Sequence, residues 1–279
     1  MDSPPHTKLR LCVLASGGGT NLQAMIDRSA EGLLDARIVL VLSDRAGAVA
    51  LKRAEKADIA AFHIDYKTSA KSTIEQAASL VDLAELDCGQ KIINDADRST
   101  RLARLARLVL AEHELIRRID SVDPDYVCLA GFMRLLSPYF IGHINAHGPK
   151  IINIHPALLP SFPGRHGYED TFQYGCKWGG VTVHFVDEGE DTGPVIAQAV
   201  YPVWPGEDVE TIRNRGLSLE YEVYPQVINW LARGFVATQT GSDGKARVEI
   251  TDPHYPAIVG GWVRKVLQGS TNETETIAS

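Results

Sequence analysis

Apolar residues in the first half of the chain fall into short unbroken runs separated by stretches with helical spacing. Residues 9–16 (LRLCVLAS), 37–44 (RIVLVLSD), 60–65, 125–131 (DYVCLAG) and 150–154 (KIINI) read as buried strands. Between them, Leu22, Met25 and Ile26 have helical spacing, and residues 46–56 predict a helix. Residues 101–119 predict a long basic amphipathic helix carrying Leu102, Leu105, Leu108, Leu115 and Ile119. Strands alternating with helices imply an α/β fold with a doubly wound, mostly parallel sheet and a Rossmann-like N-terminal half. Ligands of such sheets bind at the C-terminal ends of the strands. The loops after Ser16, Gly131 and Ile154 are therefore the places to expect chemistry.

The pattern changes after residue 155. Residues 180–186 and 195–203 predict strands separated by an acidic loop. Residues 208–233 predict a long helix with a break near Tyr224-Pro225. Residues 235–251 predict a hairpin turning at Gly241-Ser242-Asp243-Gly244, and residues 269–279 a disordered polar tail. Residues 1–8 read as a flexible N-terminus. Residues 67–100 are long for a connection in a compact α/β domain. They read as a surface insertion, with a helix over 74–86 and no identifiable chemistry.

Composition narrows the field. The 279 residues are 44% hydrophobic with a formal net charge of −7, so a broad electrostatic grip on nucleic acid is disfavoured. Cys12, Cys88, Cys128 and Cys176 form no CxxC pair and suit reduced thiols. No signal-peptide layout or bilayer-length apolar run appears, which points to a cytoplasmic protein without a membrane partner.

Candidate chemistry is concentrated in three places. In Asn153-Ile154-His155-Pro156, strand alternation puts Asn153 and His155 on one face, and Pro156 ends the strand. An amide and an imidazole at a sheet edge can stabilise an oxyanion and move a proton. The loop 187–194 (DEGEDTGP) carries four acids; one directed at His155 would favour the imidazolium and raise its pKa. It lacks the EF-hand ligand pattern. Ser16-Gly17-Gly18-Gly19-Thr20-Asn21, between strand and helix, suits close backbone approach to a phosphate. It is neither a Walker A loop nor a complete GxGxxG, because Leu22 stands at the third glycine position. His143, His147, His155, His166 and His184 have no zinc-site spacing, so no metal is expected. His184, on an alternating apolar strand, reads as a structural residue. No GxSxG elbow is present.

Together, residues 16–24 (SGGGTNLQA), 129–138 (LAGFMRLLSP), 151–160 (IINIHPALLP), 183–198 (VHFVDEGEDTGPVIAQ) and 224–230 resemble the phosphoribosylglycinamide formyltransferases of purine synthesis. The resemblance covers most of residues 9–234. It implies a formyltransferase domain there, interrupted by the insertion 67–100; the C-terminal hairpin and disordered tail read over 235–279 have no clear match in the family. It implies formyl transfer from 10-formyltetrahydrofolate, as cosubstrate, to the amine of glycinamide ribonucleotide. Asn153, His155 and Asp191 match the family's catalytic trio. Gly19, Thr20, Asn21 and Glu220 match the ribonucleotide site. Met133, Arg134, Leu135 and Leu136, with Asn153 and the loop Asp187, Glu188, Gly189, Glu190 and Asp191, match the folate site. Arg107 is the nearest candidate for a folate-contacting arginine, although the insertion precedes its helix. Tyr221 stands where many members have histidine.

Partners implied are small molecules, with a homodimer allowed. A formyltetrahydrofolate hydrolase is expected to carry an N-terminal regulatory domain. A methionyl-tRNA formyltransferase is expected to carry a larger, basic C-terminal domain. A non-catalytic nucleotide- or folate-binding module is disfavoured by the intact Asn-His-Asp set.

Overall fold

The computed structural model describes residues 8–67 and 74–274. The first half winds as β1 (Leu9–Leu14), α1 (Thr20–Ala30), β2 (Ala36–Ser43), α2 (Val49–Lys56) and β3 (Ala61–His63). Two short helices follow, α3 (Ile74–Ala78) and α4 (Leu83–Gly89), then α5 (Arg98–Asp120), β4 (Tyr126–Leu129), α6 (Pro138–Ile144) and β5 (Ile151–His155). The second half runs α7 (Gly167–Gln173), β6 (Trp178–Phe185), β7 (Val195–Pro202), α8 (Val209–Ala232), β8 (Val236–Thr240), β9 (Ala246–Ile250) and α9 (Tyr255–Thr274). Among the described residues, no helix is long and apolar enough to cross a membrane.

Seven strands form one sheet in the order β3-β2-β1-β4-β5-β6-β7. The strands β1 to β5 are parallel, whereas β6 and β7 join antiparallel. Parallel strands are covered on both faces, so they read as continuous apolar runs. Leu11 and Val13 of β1 pack on one face with Leu22, Met25, Tyr224 and Trp230. Cys12 and Leu14 pack on the other with Leu115, Ile119 and Phe140. The chain moves outward from β1 in opposite directions, to β2 and to β4, leaving a crevice at their C-terminal ends. Ser16 bridges that crevice: its N–H donates to Gly131 O (3.0 Å) and its Oγ accepts from Met133 N–H (2.8 Å).

Four details differ from the sequence pattern. The expected break at Pro225 does not occur, and α8 runs through it. Proline removes one intrahelical donor there, but Tyr224, Val227 and Trp230 on either side are fully buried. The expected single helix over 74–86 is two helices, because Asp82 caps a new one by accepting from Ala84 and Glu85 N–H. Residues 67–100 are also more than a surface appendage: Ala77, Leu83, Leu86 and Ile93 form a small core with Leu105, Ala106 and Val109 of α5. Finally, the disorder expected from 269 onward gives way to α9, which continues to Thr274. Residues 1–7, 68–73 and 275–279 lie outside the described residues.

Helix α9 is attached through aromatic burial. Trp262 meets Trp230 edge-on at 5.9 Å, Tyr255 lies 5.4 Å from the same ring, and Trp230 Nε1 donates to Asp252 at 2.8 Å. Replacing Trp262 with Ala is expected to lower unfolding free energy by about 3–5 kcal/mol in denaturant titrations. A loss below about 1 kcal/mol, the range of surface changes, would show that α9 contributes little to the core.

A buried carboxyl supports α6. Glu112 of α5 is fully buried, accepts Ser137 N–H at 2.8 Å and bonds the Ser137 hydroxyl. Burial pushes its pKa from the ordinary 4.5 up to about 8, against the pull of the two Ser137 bonds. Between those values the folded chain keeps a proton that the unfolded chain releases. Stability from this group is therefore present below pH 4.5 and is lost as pH rises through about 8. Glu112→Gln should flatten the pH dependence of denaturant midpoints across that window; an unchanged slope would remove Glu112 as its source.

Candidate active site

At the C-terminal end of β5, alternation turns Asn153 and His155 to one face while Ile152 and Ile154 enter the core on the other. Antiparallel pairing then places His184 opposite Asn153 and Thr182 opposite His155. Thr182 secures the chain after the strand, donating from its hydroxyl to Ala157 O (2.6 Å) and accepting from Leu159 N–H (3.1 Å).

His155 is 2% exposed. Its Nε2 lies 2.8 Å from Phe162 O, and a carbonyl can only accept, so the proton belongs on Nε2. Its Nδ1 lies 3.2 Å from Asp191 Oδ2. Asp191 is held in turn by Gly164 N–H (2.8 Å). Both partners of His155 occupy left-handed backbone, Phe162 at φ 54° and Asp191 at φ 54°. For non-glycine residues this conformation is costly, most of all for a bulky aromatic. The two loops spend backbone strain to aim two acceptors at one imidazole.

Asn153 Nδ2 lies 3.1 Å from His184 Nε2, and His184 Nδ1 lies 2.9 Å from Phe185 O. His184 can thus donate from Nδ1 to Phe185 O while its Nε2 accepts from the amide. The amide keeps its second N–H for a ligand. His184 Nε2 also stands 3.6 Å from Asp191 Oδ1. The sequence pattern assigned His184 to structure alone; the sheet register makes it the residue that orients Asn153.

The electrostatics reverse one expectation. Burial pushes the His155 pKa below its ordinary value, and the nearby Asp191 carboxylate offsets only part of that. Asp191 thus acts in the expected direction but does not win. Its own carboxyl is pulled up by burial, yet the neighbouring His184, the hydrogen bond from Gly164 N–H and the nearby His155 hold it below the usual range.

A cavity of about 390 Å³ opens beside this group. Met133, Arg134, Leu135 and Leu136 line it, as do Asn153, His155 and the whole loop Asp187, Glu188, Gly189, Glu190 and Asp191. The loop is shaped by Asp187, which accepts from Gly189 N–H (3.1 Å) and Thr192 Oγ1 (2.6 Å). A side chain at Gly193 would overlap Phe185 O, so only glycine closes the turn. Arg107 does not reach the cavity: its Nε donates back to Ala103 O of its own helix (3.2 Å). Lys91 and Ile92 line the cavity instead, from the segment in which no chemistry was identified.

A second polar group lies at the start of α1. Asn21 Nδ2 donates to Glu220 Oε2 (2.6 Å), and Tyr168 OH donates to Glu220 Oε1. Burial pushes the Glu220 pKa up despite these two bonds. Among the described residues, Asn21 Oδ1 is buried without a hydrogen-bond partner. Gly19, at φ 65°, caps α1 and sits where a side chain would strike Ala50. Gly17 O accepts from Ala50 N–H and Gly18 O from Arg53 Nε. The trans peptide plane then turns the N–H groups of Gly18 and Gly19 away from α2. Thr20 is exposed beside them. Tyr168 carried no sequence signal, since its role depends on α7 packing against α8.

Comparisons with known proteins agree with this arrangement. The formyl transferase family matches residues 9–228. The phosphoribosylglycinamide formyltransferase of Escherichia coli (strain K12) is 36% identical over 226 residues, covering 81% of this chain and 88% of that protein. The trifunctional purine biosynthetic protein adenosine-3 of Drosophila pseudoobscura pseudoobscura is 36% identical over 246 residues, 87% of this chain, but the chain spans only 15% of that protein. The crystal structure of glycinamide ribonucleotide transformylase 1 from Symbiobacterium toebii superposes with a TM-score of 0.68 at 35% identity, covering 89% of this chain and 96% of that one. The matched span runs from β1 into α8 and includes every side chain around His155 and Glu220, so the chain belongs to the formyl transferase family.

Proposed function

We propose that this chain transfers the formyl group of 10-formyltetrahydrofolate to the amine of glycinamide ribonucleotide. The observation that carries the reading is the Asn153–His155–Asp191 group, assembled at one edge of a partly apolar cavity and joined through Ser16 to a separate glycine loop. The named relatives act in the same reaction class. In this reading the folate occupies the cavity against Met133, Leu135 and Leu136. The ribonucleotide phosphate meets the N–H groups of Gly18, Gly19 and the first turn of α1. Glu220 and the free acceptor of Asn21 take its polar groups.

The amine attacks the formyl carbon. A C–N bond forms, the carbonyl oxygen becomes an oxyanion, and the attacking nitrogen holds one proton too many. The unused N–H of Asn153 stabilises the oxyanion. The neutral His155 accepts the proton at Nδ1, where Asp191 stabilises the resulting imidazolium. The proton then passes to folate N10 as the bond from carbon to N10 breaks and the carbonyl reforms. Binding strain into the two loops beforehand keeps the imidazole placed throughout.

A transfer assay with the two substrates tests the reading directly. Formylated ribonucleotide should accumulate, and His155→Ala should slow turnover about 10²–10⁴-fold while the chain stays folded. Gly18→Val has room for its side chain in the free protein. It should raise the KM for the ribonucleotide well above any change for the folate. Absence of transfer by the parent chain, or equal effects of Gly18→Val on both ligands, would contradict the respective assignments.

The pH dependence has a defined sign. If neutral His155 is the working form, kcat/KM rises with pH through its pKa, and that limb lies below the ordinary imidazole range. Asp191→Asn removes the charge that raises this pKa, so the limb shifts further to acid. Turnover should nonetheless fall, because the imidazolium formed on proton uptake loses its counter-charge. Rate profiles paired with NMR titration of His155 check both effects; a histidine that titrates identically in the two proteins would assign Asp191 to geometry alone.

A further inference from the structure

We propose that Arg53 of α2 is a positioning residue for the ribonucleotide, setting the direction of the glycine-loop donors and supplying a counter-charge to the phosphate from behind the loop. This rests on the ribonucleotide reading above and names the side chain that shapes its phosphate end. Arg53 Nε donates to Gly18 O (2.8 Å), and its Nη1 donates to Gln23 Oε1 (2.8 Å). The first bond fixes the peptide between Gly18 and Gly19. The second reaches α1, where Gln23 N–H also donates to Gly19 O (2.9 Å). One planar guanidinium therefore ties the loop to the helix that follows it.

That tie decides where the donors point. In a trans peptide the N–H lies opposite the C=O, so a Gly18 carbonyl drawn toward α2 turns the Gly19 N–H outward. Gly17 O is held in the same way by Ala50 N–H (3.1 Å), which turns out the Gly18 N–H. The Gly17 bond is made by backbone, whereas the Gly18 bond depends on one side chain. Packing does not replace it, since a side chain at Gly18 would meet nothing within 4 Å. Three further observations suit an anionic ligand with polar groups beside its charge. Among the described residues, α1 has no side-chain cap and no acid in its first turn, so its leading N–H groups are left for a ligand. Asn21 Oδ1, in the same turn, is buried without a hydrogen-bond partner and suits a ligand hydroxyl or amine. Both bonds of Arg53 end on uncharged oxygens, and among the described residues no carboxylate pairs with it. The carboxylate joined to this network, Asp27, accepts from Gln23 Nε2 (2.8 Å) one helical turn further on.

The test compares glycinamide ribonucleotide with glycinamide riboside, which lacks the phosphate, by calorimetry on the full chain. Arg53→Met should weaken the ribonucleotide about three- to tenfold, the range of one hydrogen bond or of one charge at a helix N-terminus. Riboside affinity should stay the same, and the loss for the ribonucleotide should shrink at high salt. Arg53→Lys keeps the charge but not the planar two-bond grip, so its ribonucleotide affinity should fall between those of the parent and Arg53→Met. Unchanged ribonucleotide affinity in Arg53→Met overturns the proposal. So does equal weakening of both ligands, which would mark a merely structural role, or an Arg53→Lys variant that binds as the parent does, which would leave charge without positioning. A parent chain that prefers the ribonucleotide to the riboside but transfers no formyl group sinks the transfer reading and leaves the Arg53 comparison intact; one without that preference overturns the Arg53 proposal.

Discussion

The site depends on one buried imidazole held between two acceptors. His155 is at the end of a central strand, nearly sealed from solvent, with Phe162 O on one nitrogen and Asp191 on the other. Burial alone disfavours its charged form, and the two acceptors favour it. The balance leaves a neutral ring that can take up a proton at modest cost. Much of the surrounding structure exists to keep that balance in place. Left-handed backbone at Phe162 and Asp191 aims the acceptors. Thr182 pins the chain after the strand, His184 fixes the amide of Asn153, and Gly164 N–H holds Asp191.

The same logic of buried, partly compensated charge recurs at Glu220. Its carboxylate is enclosed by Tyr168 and Asn21, leaving one acceptor of Asn21 unmet. A buried polar atom without a partner is costly unless a ligand supplies one. The two polar groups occupy different loops, yet Ser16 ties the loop after β1 to the cavity wall after β4. Formation of either loop therefore constrains the other, as a reaction between two bound molecules requires.

The additions around this frame do physical work. The inserted segment encloses a small core against α5 and supplies two residues to the cavity. Helix α9 covers Trp230, the largest fully buried side chain of the main core, through aromatic contacts that α8 alone leaves open.

Local pattern determined the parallel strands, the long helices and the Asn153–His155 pair, because two-residue alternation and 3.6-residue spacing are properties of neighbouring residues. It also located the acidic loop and the glycine loop, since their composition is unusual between apolar runs. Helices α6 and α7 lacked such a signal because seven residues show too little periodicity. The continuity of α8 through Pro225 and the order of α9 depend on burial against distant elements, which no local window contains. The partnership of His184 with Asn153 required the register of β5 against β6, separated by 31 positions in the chain. The sign of the His155 shift required its burial, because a carboxylate in the sequence shows attraction but not the desolvation it must overcome. Lys91 reached the cavity only through the packing of an insertion on α5, a placement decided by tertiary contacts and invisible to residue spacing.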